Sequence, residues 1–163
     1  MAAFLFGHGN DNILINRKLR ELKLNKVFVY EEFPDCAKEI REAVFVNEQG
    51  FHNEFDEIDN TAAHLVLFDE NEVPIATCRV FWDTGVRSYI VGRVAVMKQY
   101  RGKNIGSVIL QEAEKYVKQR GGKSIFLHAQ CRAANFYKGL GYTEFGNIEK
   151  DEGCPHVWMQ KSI

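Results

Sequence analysis

Hydrophobic positions along this chain change period in an order that predicts a mixed α/β fold. Ile15, Leu19 and Leu22 recur at helical spacing, with Asp11 or Asn12 as a cap and Asn25 as a stop, which predicts an N-terminal helix. "KVFVYEEF" from position 26 reads as a strand. Pro34 then suits the first turn of a helix that puts Ala37, Ile40, Ala43 and Val44 on one face. "GFHNEFDEIDNTAA", from position 50, is an acidic loop with little periodicity. "HLVLF", the turn-like "DENE" and "VPIATCRVFW" predict a β-hairpin rich in branched and aromatic residues. After the turn "DTGVRS", the run "YIVGRVAVM" is another strand. Ile105, Val108, Ile109, Ala113, Tyr116 and Val117 form the apolar stripe of a helix that Gly121 and Gly122 close. "KSIFLHAQ" is a strand, "CRAANFYKGLG" a short helix, and "YTEFGNIE" and "PHVWMQKS" are two final strands. Strand and helix do not alternate regularly, which disfavours a doubly wound parallel sheet.

At 163 residues the chain is most simply one domain with a sizeable core. The formal net charge of −1 gives no global attraction to nucleic acid or to an anionic membrane, so any anion site must be local. The N-terminus "MAAFLFGHGNDN" lacks the basic region and cleavage pattern of a signal peptide, and no apolar run is long enough to span a bilayer. Cys36, Cys78, Cys131 and Cys154 lie far apart with no CxxC pair. That spacing predicts reduced thiols in a cytoplasmic protein.

One segment joins a strand to a helix with chemistry of its own: "RVAVMKQYRGKNIGS", residues 93–107. A helix start carries unpaired amides and about half a positive charge. Gly102 and Gly106 let a ligand approach backbone closely, and Lys98, Arg101 and Lys103 add charge. Those parts describe a diphosphate cradle, although a solvated glycine turn has the same composition. A dinucleotide fingerprint would need GxGxxG, and a P-loop would need a Gly-Lys-Ser/Thr ending; both are absent.

The same segment resembles motif A of the GNAT family of acetyl-CoA-dependent N-acetyltransferases, R/Q-x-x-G-x-G/A between a strand and a helix. Arg101 fills its first position and Gly106 its last, with Asn104 in place of the middle glycine. "HAQCRAANFYKGLGY" is similar to the family's "FY-x-x-x-G-F/Y" segment through Phe136, Tyr137, Gly141 and Tyr142. Gln130 stands where the family usually has asparagine. "REAVFVNEQGFHNEFDEIDNTAAHLV" resembles the ElaA-like branch through Arg41, Val44, Phe45, Val46, Glu48, Gln49, Asp59 and His64, and "DEGCPHVWM" suits it too. The likeness runs from about residue 26 to the end. It divides the chain into an N-terminal extension (1–25) and an N-acetyltransferase domain (26–163).

The resemblance implies an α/β GNAT fold: a central mixed, mostly antiparallel, splayed sheet of six to seven strands flanked by helices, here with an extra N-terminal helix. It implies acetyl-CoA as co-substrate, no metal, and direct transfer in a ternary complex to a primary amine of a small molecule, with neither nucleic acid nor membrane as partner. Coenzyme binding falls to Val94, Ala95 and Val96, to Arg101, Gly102, Lys103, Asn104, Ile105, Gly106 and Ser107, and to Gln130 and Tyr137. Asn104 tolerates unusual backbone angles and so keeps the turn. Tyr137 is the expected general acid, since a phenol is protonated at neutral pH. The carboxylates Glu54, Asp56, Glu57 and Asp59 would attract a cationic amine, and imidazole is the side chain whose ordinary range suits a base, which brings in His64 and His156. Glu57, Asp59, His64 and His156 are therefore the candidates for the acceptor side. His128 and Cys131 have a His-x-x-Cys spacing, but two ligands make no metal site. Acetylation of a protein lysine or N-terminus, or acyl-CoA binding without catalysis, would fit the same motifs. The N-terminal helix is open to packing on its own domain, pairing two chains in a homodimer, or covering the acceptor site.

Overall fold

The computed structural model describes residues 24–163; the anticipated N-terminal helix and its stripe at Ile15, Leu19 and Leu22 lie outside the described residues. Seven strands form one sheet: β1 (Leu24–Tyr30), β2 (Ala63–Asp69), β3 (Pro74–Asp83), β4 (Ser88–Val96), β5 (Ser124–Gln130), β6 (Thr143–Asp151) and β7 (Cys154–Ser162). Their spatial order is β1-β2-β3-β4-β5-β7-β6. Every neighbouring pair is antiparallel except β4 and β5. Helix α1 (Asp35–Arg41) runs on into a π-helical turn (Glu42–Glu48), α2 (Ile105–Gln119) links β4 to β5, and α3 (Ala134–Gly139) precedes β6. The mixed, mostly antiparallel sheet flanked by helices is the architecture expected from the sequence.

Strand alternation divides the interior into two layers. Leu65 and Leu67 on β2 pack with Val108, Ile109, Ala113 and Val117 of α2, whereas Val66 between them packs on the opposite face with Ala37 and Ile40 of α1. Strand β4 breaks this rule. Val91 faces α2 and Ala95 faces α1, although they are an even number of positions apart and period-2 alternation would put them on one face. An extra residue resolves the conflict. Between the pairs Thr77↔Ala95 and Arg79↔Gly92 the register shifts, and Arg93 adopts φ 53°, a left-handed conformation that a non-glycine residue takes only when its surroundings hold it there. The apparently unbroken run "YIVGRVAVM" hides this bulge.

The bulge coincides with a parting of the sheet. β4 and β5 pair only at Tyr89↔Ile125 and Ile90↔Phe126. Beyond Ile90 the two strands diverge, because β5 continues along β7 through Gln130↔His156 while β4 follows β3 to Val96. The wedge between them opens at the carboxyl ends of both strands.

Two details of the α1 segment differ from the periodic reading. Pro34 is the cap of α1 rather than its first turn, and its carbonyl accepts from the amides of Ala37 and Lys38. The π-helical turn widens the spiral so that Phe45, not Ala43, is buried beside Val44. The residues at its end, Glu48 and Gln49, thereby reach the wedge. The acidic loop contains one 3₁₀ turn, Glu57–Asn60, capped by Asp56.

Candidate active site

Two clefts meet in the wedge. One, of about 450 Å³, lies between Val94–Val96 and the start of α2, with Arg101, Gly102 and Phe136 among its walls. The other, of about 340 Å³, lies between the 48–54 segment, Gly92–Val94, the end of β5 and the β6–β7 turn. Gln49, Val94, Arg101, Ala133 and Tyr137 line both.

The floor of the first cleft is built by the loop ahead of α2. Gly102 has φ 74° and Asn104 φ 60°, so the chain takes left-handed steps before the helix starts. Of all non-glycine side chains asparagine tolerates that conformation best, which accounts for Asn104 as the middle residue of the motif. Its side chain makes no capping bond. The first intrahelical bond runs from the Val108 amide to the Asn104 carbonyl, leaving the amides of Ile105, Gly106 and Ser107 without an intrahelical acceptor. Gly106 leaves room for Phe136: a Cβ there would stand 3.0 Å from the ring, so the ring would have to give by a few tenths of an ångström. Replacing Asn104 by glycine should preserve thermal stability, whereas valine, branched at Cβ, should cost about 1–2 kcal/mol. Melting temperatures of the two variants measure the difference.

Arg101, at the same loop, does not point freely at solvent. Its guanidinium grips the Glu48 carboxylate through two bonds of 2.6 and 2.8 Å, while Nε donates to the Val96 carbonyl at 3.0 Å. Hydrogen bonding from Arg101 holds the Glu48 carboxyl below its ordinary range. Lys103 lies over the Tyr100 ring, its ammonium 5.6 Å from the centroid, and lines neither cleft. Gln130 lines the second cleft rather than the first: its Nε2 donates to Gln49 Oε1 at 2.8 Å, and Arg132 Nε donates to its Oε1 at 2.7 Å.

Tyr137 sits where the clefts join. Its ring packs edge-on against Phe136 and Tyr142, and its hydroxyl makes no hydrogen bond among the described residues. Burial pushes the phenol well above its ordinary pKa, with nearby Cys78 adding to the shift, so the proton stays on.

The acidic loop turns out to be neutralised. Arg41, only 1% exposed, donates Nε to Glu54 at 2.6 Å and both terminal nitrogens to Asp59 at 2.6 and 3.0 Å. Arg79 bridges Asp59 at 2.8 Å and Asp56 at 2.9 Å, and Arg93 reaches Glu54 Oε2 at 3.1 Å. Three guanidinium groups thus meet three carboxylates. Burial alone would raise the Asp59 carboxyl, but the bonds from Arg41 and Arg79 outweigh it and hold the group at about 2. For Glu54 burial wins over Arg93 and Arg41, and the carboxyl is pushed up.

Of the acceptor-side residues anticipated from the sequence, only His156 lines the second cleft. Asp59 is locked in the arginine cluster. His64 is fully buried, donating Nε2–H to the Asp59 carbonyl at 3.0 Å and stacking on Phe33, with burial holding its pKa below the usual value. Glu57 is exposed on the 3₁₀ turn, where it accepts from the Asn60 amide and lines neither cleft. Periodicity missed Arg93, Arg132 and Glu152 as cleft residues, whereas Glu54, named for its charge, lines the second cleft. A signal existed for Arg79 and Arg93: a cation inside an otherwise apolar strand needs a buried partner. Glu152 accepts from the amides of His52 and Asn53, both at 2.8 Å, tying the β6–β7 turn to the 50–53 loop and closing the far wall. Among the described residues no group of three or more His, Cys, Asp or Glu could hold a metal, and no helix is long and apolar enough to cross a membrane.

A sheet that parts beside an anion-ready helix start, with a phenol at the parting, defines the GNAT class of acyltransferase. The family model described as "Acetyltransferase (GNAT) domain" matches residues 26–163, and the chain belongs to that family. It is 39% identical over 147 residues to a Bacillus subtilis protein named as an acetyltransferase, covering 83% of this chain and 94% of the relative. A crystal structure of an N-acetyltransferase from Lactobacillus plantarum superposes with a TM-score of 0.75 at 30% identity, over 85% of this chain and 99% of that one. Escherichia coli ElaA superposes with a TM-score of 0.71 at 25% identity, over 78% of this chain and 88% of ElaA. The protein is an acetyltransferase of the acetyl-CoA-dependent kind.

Proposed function

We propose that this enzyme transfers the acetyl group directly from acetyl-CoA to the primary amine of a small molecule, both substrates being bound at once. The observation that carries this reading is the junction of two clefts at Tyr137, one floored by free helix amides and the other of a size suited to a small acceptor. The first cleft fits the coenzyme. Its amides and the positive end of α2 suit a diphosphate, and β4 beyond Ile90 offers main-chain groups that β5 does not take. Bound there, acetyl-CoA supplies an activated acyl group on a thiol that can leave.

The chain's own residues supply the rest. A free amide on the bulged Val94–Val96 stretch would polarise the thioester carbonyl, and such a donor contributes roughly 2.7–4 kcal/mol. Tyr137 retains its proton at working pH and can pass it to a departing thiolate shielded from water as the phenol is. No cysteine lines either cleft, and burial pushes the Cys78 thiol far up, which supports direct transfer over an acyl-cysteine route.

Purified protein given acetyl-CoA and a panel of small primary amines is expected to release one free thiol per acetylated amine. Failure to bind acetyl-CoA or to release coenzyme A with any amine would defeat the reading. Turnover confined to lysine-bearing peptides would move the acceptor to the protein class.

A further inference from the structure

We infer that His156 is the general base that removes the acceptor's proton, an assignment that rests on the amine-acetylation reading above. The ring is anchored and its tautomer is set. His156 is 7% exposed, and its Nδ1 lies 2.9 Å from the Cys154 carbonyl. A carbonyl only accepts, so Nδ1 carries the hydrogen and Nε2 presents its lone pair. Among the described residues the ring's hydrogen bond is the one at Nδ1, which leaves Nε2 unengaged, and the ring lines the 340 Å³ cleft together with Tyr137. A base and an acid therefore border one cavity.

Two carboxylates at the cleft, Glu54 and Glu48, are already engaged. Both oxygens of Glu54 are held by guanidinium groups, at 2.6 Å from Arg41 and 3.1 Å from Arg93. Glu48 is gripped by Arg101 through both oxygens. His128 Nε2 has no hydrogen-bond partner among the described residues and lies 3.6 Å from Glu149, but it is buried with its ring stacked on Trp158, so it presents no lone pair to an amine in the cleft.

The surroundings of His156 suit an imidazole that gains charge during the step. Glu149 is its register partner on β6, and Asp151 and Glu152 follow in the same turn. His128 of β5 lies 5.0 Å away, ring to ring. Arg93 and Arg132 line the same cleft and oppose the added charge, but Arg93 is shared between Glu54 and Asp56.

The step balances as follows. The amine lone pair forms the C–N bond at the thioester carbon while an N–H proton moves to His156 Nε2, and the carbonyl π pair moves to oxygen. Collapse restores the C=O and breaks the C–S bond, and the thiolate leaves with the Tyr137 proton. The imidazolium then releases its proton to water and the phenolate takes one back, giving the amide and the free thiol.

The test compares the wild type with H156Q on the most active alkylamine of the panel and on its β,β-difluoro analogue, whose nitrogen is far less basic and loses its proton readily. With melting temperature and acetyl-CoA affinity unchanged, H156Q is expected to lose about 10²-fold in kcat on the alkylamine and only a few-fold on the fluorinated amine. Equal losses on both amines, or no loss, overturn the assignment. Should H156Q not fold, the wild type alone decides. An acidic limb in its kcat profile with the alkylamine that flattens with the fluorinated one supports the base, and identical limbs overturn it. Wild-type protein silent toward every amine would instead strike the acceptor reading itself and take the base with it.

Discussion

Replacing Arg41 with methionine is expected to lower the unfolding free energy by about 3–5 kcal/mol, a large share of what a domain of this size possesses. The reason is electrostatic rather than a matter of volume. Arg41 binds Glu54 and Asp59 at once, and both carboxylates are buried. Without it, Glu54 retains Arg93 and Asp59 retains Arg79, and each has lost its shortest ion pair. The pH dependence has a definite sign. Asp59 is held at about 2, below its unfolded value of 3.8, so its contribution is complete above 3.8 and disappears as pH falls toward 2. Glu54 works in the opposite direction, because its raised carboxyl costs stability when ionised at neutral pH. Arg41 stabilises both ionised carboxylates, so the gap between wild type and R41M, read by urea unfolding, should narrow as pH falls, first as Glu54 protonates and further below 3.8 as Asp59 does. An R41M protein as stable as the wild type at pH 7 would remove the cluster from its structural role.

Tyr137→Phe should lower kcat by about 10²-fold while changing acetyl-CoA affinity less than about threefold. Phenylalanine keeps the edge-on packing against Phe136 and Tyr142, so the fold and the cleft wall survive. What disappears is a hydroxyl with no partner among the described residues, whose proton is retained because the ring is buried. Steady-state rates on the best amine, with calorimetric binding of acetyl-CoA, separate the two effects. Unchanged turnover would take the acid role from Tyr137. A parallel fall in affinity would make the residue a coenzyme contact instead.

Most of the fold could be read from periodicity because local and tertiary demands agree: the α2 stripe and the β2–β3 hairpin bury the residues their spacing marks. The exceptions are functional. The bulge at Arg93 was invisible because its neighbours are β-formers and only the opposed faces of Val91 and Ala95 reveal the extra residue. In the coenzyme loop, the left-handed turn at Asn104 followed from asparagine's backbone tolerance, but the engagement of Arg101 by Glu48 spans 53 positions of sequence and leaves no local trace. Asp59 and His64 carry the right chemistry for an acceptor site. Only the partners that bury them, Arg41 and Phe33, show that their work is structural.

The most direct test is a crystal structure with acetyl-CoA bound. It should show the diphosphate on the amides from Gly102 to Ser107, the pantetheine arm beside Val94–Val96, and the sulfur next to Tyr137 with the acetyl group facing the second cleft. A diphosphate bound anywhere else, or a thioester pointing away from Tyr137, would contradict it.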